Sequence, residues 1–448
     1  MSPSSNLRRQ RGAATLVVVM VLFFIISLVA AYTSRNMIFE QRTSANQYRS
    51  TQALEAAEAG LEWALTQLNF GRISATCTPS ANTADSTFRR RYLNVDPSTG
   101  NILARTGTLG AELTPQCVFD TSASTPAWNC SCPVDGAPVL SPPSGAAVAP
   151  AFRVRFVRTS VLLPAQPSVV RVEVVGCTRL DNDCLNFAGQ GQTNEGRVVV
   201  SSLIALTGSV ASMPLAALTA RGEVELSGGA SALSVYNGAS GSLGLTVQSG
   251  DVIDPLIVLR TTAGTPASTS FVQNDPALNL LAAAPYTVSD RMFASVFSMF
   301  PESFRQQQGG VQKTCGVAGC STGSAGTVGD VRNLIALNPG RPLWLTGSLI
   351  VDTPGDIGSA AEPVLLVVNG DVRFTTGGVT IHGLVFIRTA TDWVTGGSGQ
   401  FSGAVVSEGG VKVGAGTLGI NYSGDSLNIL RGNTGTFVRV PSSWTDFQ

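Results

Sequence analysis

The chain has 448 residues, 44% of them apolar and only 13% charged, with 29 basic and 29 acidic side chains. That length allows two or three domains with sizeable cores. The charge balance gives no basic surplus for nucleic acid and no acidic tail.

Arg8, Arg9 and Arg11 precede Gly12, and residues 13–31 then run without a charge. As a helix rising about 1.5 Å per residue, those nineteen residues span roughly 28 Å, near the thickness of a bilayer core. The basic flank keeps the leader in the cytoplasm. A cleaved secretory signal, a plain single-pass anchor and a leader clipped at Gly12 all begin this way. The continuation favours the third. Between residues 32 and 69, Gly60 is the sole Gly and Pro is absent, so the helix is expected to run on. Leu54, Ala57, Leu61, Ala64, Leu65 and Leu68 form one apolar stripe at helical spacing. Thr43, Ser44, Asn46, Gln47 and Arg49 upstream are polar. The membrane-proximal half is therefore expected to protrude while the upper half packs on a globular head.

The run Arg11-Gly12-Ala13-Ala14-Thr15-Leu16-Val17 before an apolar helix resembles the class III leader of type IV prepilins. Residues 40–61 carry Glu40-x-Arg42, Ala45-Asn46, Arg49 and the block from Ala56 through Glu58 and Gly60 to Leu61, with Glu55 just before it. This combination resembles the N-terminal signature of PilX-type minor pilins. The resemblance covers about the first seventy residues. It implies cleavage after Gly12 by the prepilin peptidase, methylation of the new amine on Ala13, and assembly into a pilus with other minor and major pilins through the helix. It also implies residence in the inner membrane, with the C-terminal part periplasmic, before transfer to an extracellular pilus. Major pilins carry a Glu at the fifth mature position, where this chain has Val17. A carboxylate buried in lipid is costly unless paired with a neighbour's amino terminus. Its absence removes one docking charge pair and suits a first, outermost subunit, where a tip adhesin would be a partner.

Residues 71–150 are rich in Pro, Ser, Thr and Gly and hold Cys77, Cys117, Cys130 and Cys132. They read as an irregular, disulfide-stapled connection with a short strand near Cys117, and 142–150 as a linker. An even count of eight cysteines in an exported chain favours disulfides. Cys177 with Cys184 and Cys315 with Cys320 are close enough to clip local loops, while the pairing of the other four stays open. Zinc at Cys130 and Cys132 is disfavoured, since no His is near.

Strands are expected at 152–158, 169–176 and 197–206. In the first, Phe152, Val154 and Phe156 alternate with Arg153 and Arg155, which marks one buried face. An antiparallel sheet packed on the helix stripe matches the pilin fold that the resemblance implies. From about residue 213 an apolar run, a turn and Gly-x-apolar-x-apolar recur, at Gly222, Gly347, Gly370 and Gly410. The segments at 382–386 and 402–406 also resemble each other at a spacing of twenty. Recurrence near twenty with Gly corners predicts a parallel β-solenoid in preference to a β-sandwich. An insertion near 277–306 includes an amphipathic helix over 290–304, with Met292, Phe293, Val296, Phe297 and Phe300 on its apolar side, suited to covering an edge or flank. The expected division is thus a leader at 1–12, the helix at 13–70, a pilin-like head at 71–210 and the solenoid-like domain at 211–448. The fold class is α+β, mostly β.

His382 is the single histidine, so no ordinary His-based triad or zinc-protease motif is available. Asp251, Asp254, Asp352, Asp356 and Asp371 mostly sit beside Gly or Pro, where turns use Asp for local bonds. Gly377-Gly378 and the glycines at 396–399 precede strands and make no phosphate loop. The expectation is a structural protein, not an enzyme, with no cofactor or metal. Its role would be a minor pilin in pilus assembly, at or near the tip, with the C-terminal domain exposed for adhesion. The alternatives are a pseudopilin-like part of a type II secretion system and a membrane-anchored β-helix enzyme acting on polysaccharide.

Overall fold

The computed structural model describes residues 11–96, 99–122, 124–144, 148–158, 167–187, 196–239, 244–280, 288–307, 309–323, 330–388 and 393–446. Most of the leader expected at 1–12, the centre of the expected linker at 145–147, and 281–287 of the insertion lie outside them. One helix, Arg11–Leu68, runs through both the apolar and the polar stretch. Its 58 residues make it roughly 87 Å long at about 1.5 Å per residue. The rest is mostly strand, as the α+β expectation has it.

The head is a six-stranded antiparallel sheet laid across the upper part of the helix. Its spatial order is Gly435–Arg439, Arg197–Gly208, Val169–Cys177, Ala151–Val157, Gln116–Asp120 and Ala127–Ser131. The alternation of Phe152, Val154 and Phe156 faces the helix stripe, and these pack with Ala57, Leu61, Ala64 and Leu68. Trp63 lies between Phe88, which it meets edge to face, and the tilted ring of Phe152, with ring centroids 5.4 and 5.5 Å away. Strand Val169–Cys177 is buried on both faces. Val175 and Cys177 pack beneath the loop holding Cys184 and Leu185, so the second face of that strand is covered towards its C-terminal end.

Two bonds secure the irregular region 71–150, Cys77–Cys132 and Cys117–Cys130. Cys177–Cys184 and Cys315–Cys320 close local loops as the spacing predicts. Cys130 and Cys132 belong to different disulfides, which leaves no dithiol pair for a metal there.

Among the described residues, every ladder between 218 and 422 is parallel. A sandwich of the usual kind would be antiparallel. The spacing of twenty is the register of one pair, His382 opposite Ser402 and Leu384 opposite Ala404. The four Gly-x-apolar segments supply strands to one side, in which Leu349 pairs Val372 and Val411 pairs Val224. Strands Val379–Ile387 and Gly399–Ser407 turn a corner at Gly383 and Gly403, whose φ values are 130° and 147°. A Cβ at Gly403 would lie 1.9 Å from the Gly383 carbonyl oxygen, so stacked glycines are needed there.

Stacking order differs from chain order. Along the largest ladder, strands 311–314, 343–346, 364–369, 379–387 and 399–407 follow in sequence, and then come 218–220, 247–249 and 271–272. The insertion reconciles the two orders by carrying the chain back across the outer face of the ladder. Met292, Phe293, Phe297 and Phe304 there pack on Trp344, Leu365, Phe386 and Val406. The helix expected over 290–304 is two helices, Val288–Phe297 and Pro301–Arg305. Pro301 lacks an N–H and starts the second, which leaves Phe300 exposed. Finally, Gly435–Arg439 returns to the head sheet as its edge strand. The boundary drawn at 211–448 therefore places a head strand in the wrong unit, because the parallel region is enclosed between two adjacent strands of the head.

Candidate functional site: the exposed helix and the joint behind it

Two thirds of the long helix stands out from the head, which it first meets where the Arg49 backbone lies against Gly196. Residues 14–51 are exposed throughout, apolar side chains included. Phe23, Phe24, Ile26 and Val29 all stand in the open, in a stretch where water would oppose them strongly at about 25 cal/mol per Å². Such a surface implies a lipid or protein environment. Val17 is one of these open positions. Gly12 and Ala13 lie in the first turn of the helix.

The signature residues do not gather into one site. Glu40, Arg42, Asn46 and Arg49 lie on the exposed stretch, and Glu55 and Glu58 point outward where the helix meets the head. Gly60 alone is buried. A Cβ there would come 2.7 Å from the Phe152 ring and from Cγ1 of Val174. On the facing strand, Gly176 would meet the Ala53 carbonyl oxygen at 2.1 Å and the Ala57 nitrogen at 2.5 Å. Glycines on both partners thus let helix and sheet backbones approach, which secures the protruding part to the head.

With this geometry the comparison with known families is direct. Residues 11–62 match the family model described as PilX N-terminal. Over those residues the long helix is similar to the N-terminal helix of PilX-type pilins. A pilin helix of this kind joins other pilins in a pilus, and its apolar stretch fits a membrane anchor before assembly. No curated protein matches the chain. Among solved structures, the competence-associated pilin ComZ from Thermus thermophilus is similar at 11% identity over 88% of this chain and 97% of that one, with a TM-score of 0.22. A likeness that low carries no argument.

Behind the pilin helix lies a polar joint between head and parallel region that no sequence motif announced. Asn69, one residue past the helix end, donates to the Phe437 carbonyl at 2.9 Å and accepts from the Phe437 N–H at 2.7 Å. Buried Arg89 donates to the carbonyls of Asn433 and Gly435 at 2.6 and 2.7 Å and lies over the Phe437 ring. Burial, with Arg341 and Arg90 nearby, lowers its pKa to about 10, so it stays charged. Arg72 and Arg90 both pair with Glu362 of the parallel region. A cleft of about 570 Å³ beside them is rich in arginine. Arg89 and Arg91 there are already committed to backbone carbonyls, so the cleft reads as a seam and not as an anion site.

The carboxylates singled out from sequence are dispersed. Asp352 accepts from Ser321, Thr322 and the Gly323 N–H. Asp254 accepts from the N–H groups of Leu226 and Leu256. Asp251 accepts from the Val252 N–H and Asp371 pairs with Arg373. Asp356 accepts from the Thr380 N–H and lies 3.7 Å from Nε2 of His382. No two of them face one another across a cleft.

A buried acid that the sequence did not mark is Glu408. It is held by Arg388, whose Nε lies 3.2 Å from Oε2, and Arg388 also pairs with Asp290 at 3.1 Å. Burial raises the Glu408 pKa to about 8 against the pull of Arg388. The trio ties helix Val288–Phe297 to the ladder beneath it.

Proposed function

We propose that this chain is a minor pilin that takes part in type IV pilus assembly at or near the tip. It is cleaved after Gly12 and methylated on Ala13, and its parallel region is a β-solenoid exposed for adhesion or contact with another tip protein. Its role is structural, without catalysis. One observation carries the reading. A continuous apolar helix stands fully exposed for its first part and is locked to a folded head by its last part, which is what transfer from bilayer to filament core requires.

Two further features support the tip. The apolar stretch carries no carboxylate, Val17 standing where a docking Glu would be usual. The body behind the helix is large, and repeating it at every step of a closely packed filament would crowd the neighbours.

Mass spectrometry of the mature chain tests the processing. A methylated N-terminal Ala13 is expected, and an intact Met1 or a cut far downstream defeats the pilin reading. Sheared pili are expected to contain this chain in few copies relative to the major subunit, and equal copy number refutes the tip. A deletion strain is expected to lose surface pili. Loss of exported enzymes with pili intact would assign the chain to a secretion machine.

A further inference from the structure

The parallel region has three outward faces, and they differ in chemistry. One is covered by the helices of the insertion and by Gly424–Asn433, whose Leu427 and Leu430 pack on it. The second bears charges in pairs, Lys412 with Glu225 at 2.8 Å and Arg373 with Asp371 at 2.8 Å, as solvated surfaces commonly do.

The third face is formed by Val379–Ile387, Gly399–Ser407, Gly416–Tyr422, Ser231–Asn237 and Val258–Thr261. Ile381, Phe401, Leu418, Ile420, Leu233 and Val235 point into the core, so their neighbours point out. The ladder register then sets His382, Ser402, Asn421, Tyr236 and Arg260 in one row across five strands. A second row holds Thr380, Gln400, Gly419, Ser234 and Val258. Strands lie about 4.8 Å apart, so each row runs roughly 19 Å.

This face has three properties together. Its three central strands carry no charge in either row. The side chains of Ser402, Gln400, Asn421 and Ser234 have no hydrogen-bond partner among the described residues, so donors and acceptors of both kinds stand ready. Near one end Tyr236, 44% exposed, presents a ring with a polar tip, and it is flanked in its row by Asn421 and Arg260.

We propose that this face binds an uncharged polysaccharide chain lying along the rows. A saccharide offers hydroxyls at short, regular intervals for the amides and hydroxyls, and C–H faces for the tyrosine. A protein partner would call for an apolar centre, and a nucleic acid for several cations; neither is present. The open, flat shape predicts modest affinity per site. The proposal deepens the adhesion part of the reading above and rests on that part alone.

Full-length protein in detergent is titrated calorimetrically with cellohexaose, maltohexaose and chitohexaose. At least one is expected to bind with a dissociation constant at or below about 1 mM. Tyr236→Ala and Gln400→Ala are each expected to weaken it at least ~5-fold, a loss on the scale of one hydrogen bond or ring contact, with the thermal midpoint unchanged. Lys412→Ala, on the charged face, is expected to leave binding as it was. Should Tyr236→Ala fail to fold, Tyr236→Phe and Asn421→Ala replace it, with the same expected loss for the pair. The proposal fails if no hexasaccharide binds, if the variants bind as the parent does, or if Lys412→Ala weakens binding equally. Strains carrying Tyr236→Ala are expected to make pili normally, so loss of sugar binding and loss of the pilin reading are scored separately.

Discussion

Gly176→Ala is the sharpest probe of how the pilin helix is held. In an ordinary strand this change stabilises, since glycine costs about 0.5–1 kcal/mol relative to alanine. Here the new methyl would sit 2.1 Å from the Ala53 carbonyl oxygen and 2.5 Å from the Ala57 nitrogen. Both are backbone atoms of the helix and cannot rotate aside. Ordinary contact begins near 3.4 Å, so helix and sheet must part by about 1 Å over this stretch. A gap of 0.5–1 Å forfeits roughly a quarter to a half of each dispersion contact it opens, and overpacking of this kind costs about 1–3 kcal/mol. The upper end applies, because Gly60 tightens the same seam against Phe152 and Val174. A net loss of about 2–3 kcal/mol lowers the midpoint by roughly 5–10 °C for a domain of this size. Circular dichroism melting of the full chain in detergent measures it. Gly377→Ala, where nothing lies within 4 Å, is the control and is expected to shift little. A Gly176→Ala midpoint equal to or above the parent would refute the close approach of helix and sheet.

Three other outcomes follow from the same contacts. Glu408 has a folded pKa of about 8, above its ordinary 4.5, so its contribution is complete below about pH 4.5 and fades as pH rises through about 8. Glu408→Gln is expected to flatten the fall of the thermal midpoint over that window, and an unchanged slope would assign the dependence elsewhere. Deleting residues 435–448 removes buried Phe437, whose carbonyl and N–H both bond the Asn69 side chain. Losses of about 3–5 kcal/mol for the ring and about 1–3 for the stranded amide approach a domain's whole stability, so limited proteolysis is expected to degrade the head of the truncated chain. Replacing Cys77 and Cys132 by Ser opens a separation of 55 residues and replacing Cys315 and Cys320 opens one of 5. Loop entropy gives about 4 and about 2 kcal/mol, and denaturant melts of the two double variants are expected to rank them in that order.

What the sequence revealed was whatever one buried face imposes on neighbouring residues. The stripe from Leu54 to Leu68 and the alternation from Phe152 to Phe156 both surface as periodicity because each element packs on a single side. The Gly-x-apolar pattern surfaced because each stacked strand begins at a tight corner. Strand Val169–Cys177 hid part of its environment, since a disulfide loop covers its second face. The break at Pro301 was written in the chain, but the apolar spacing around it outweighed one residue. The joint had no local signature at all. Asn69 and Phe437 are 368 positions apart, and a pairing of that range leaves no period for a window to detect.

The return of Gly435–Arg439 also bears on how the molecule carries load. The parallel region leaves the head after Gly208 and re-enters at Gly435, and these two residues pair with each other. Both covalent crossings therefore lie at one edge of the head sheet, beside the end of the long helix. Arg89, Asn69 and the Glu362 pairs brace the same spot. A pull on the parallel region reaches the helix through two adjacent hydrogen-bonded strands instead of a single linker. It also follows that the head cannot close until the last strand has been made, because Phe437 belongs to the core shared with Ile204 and Leu206. A chain released early would keep its membrane helix yet lack a finished head, so completion of the C-terminus is coupled to formation of the surface that holds the pilin helix.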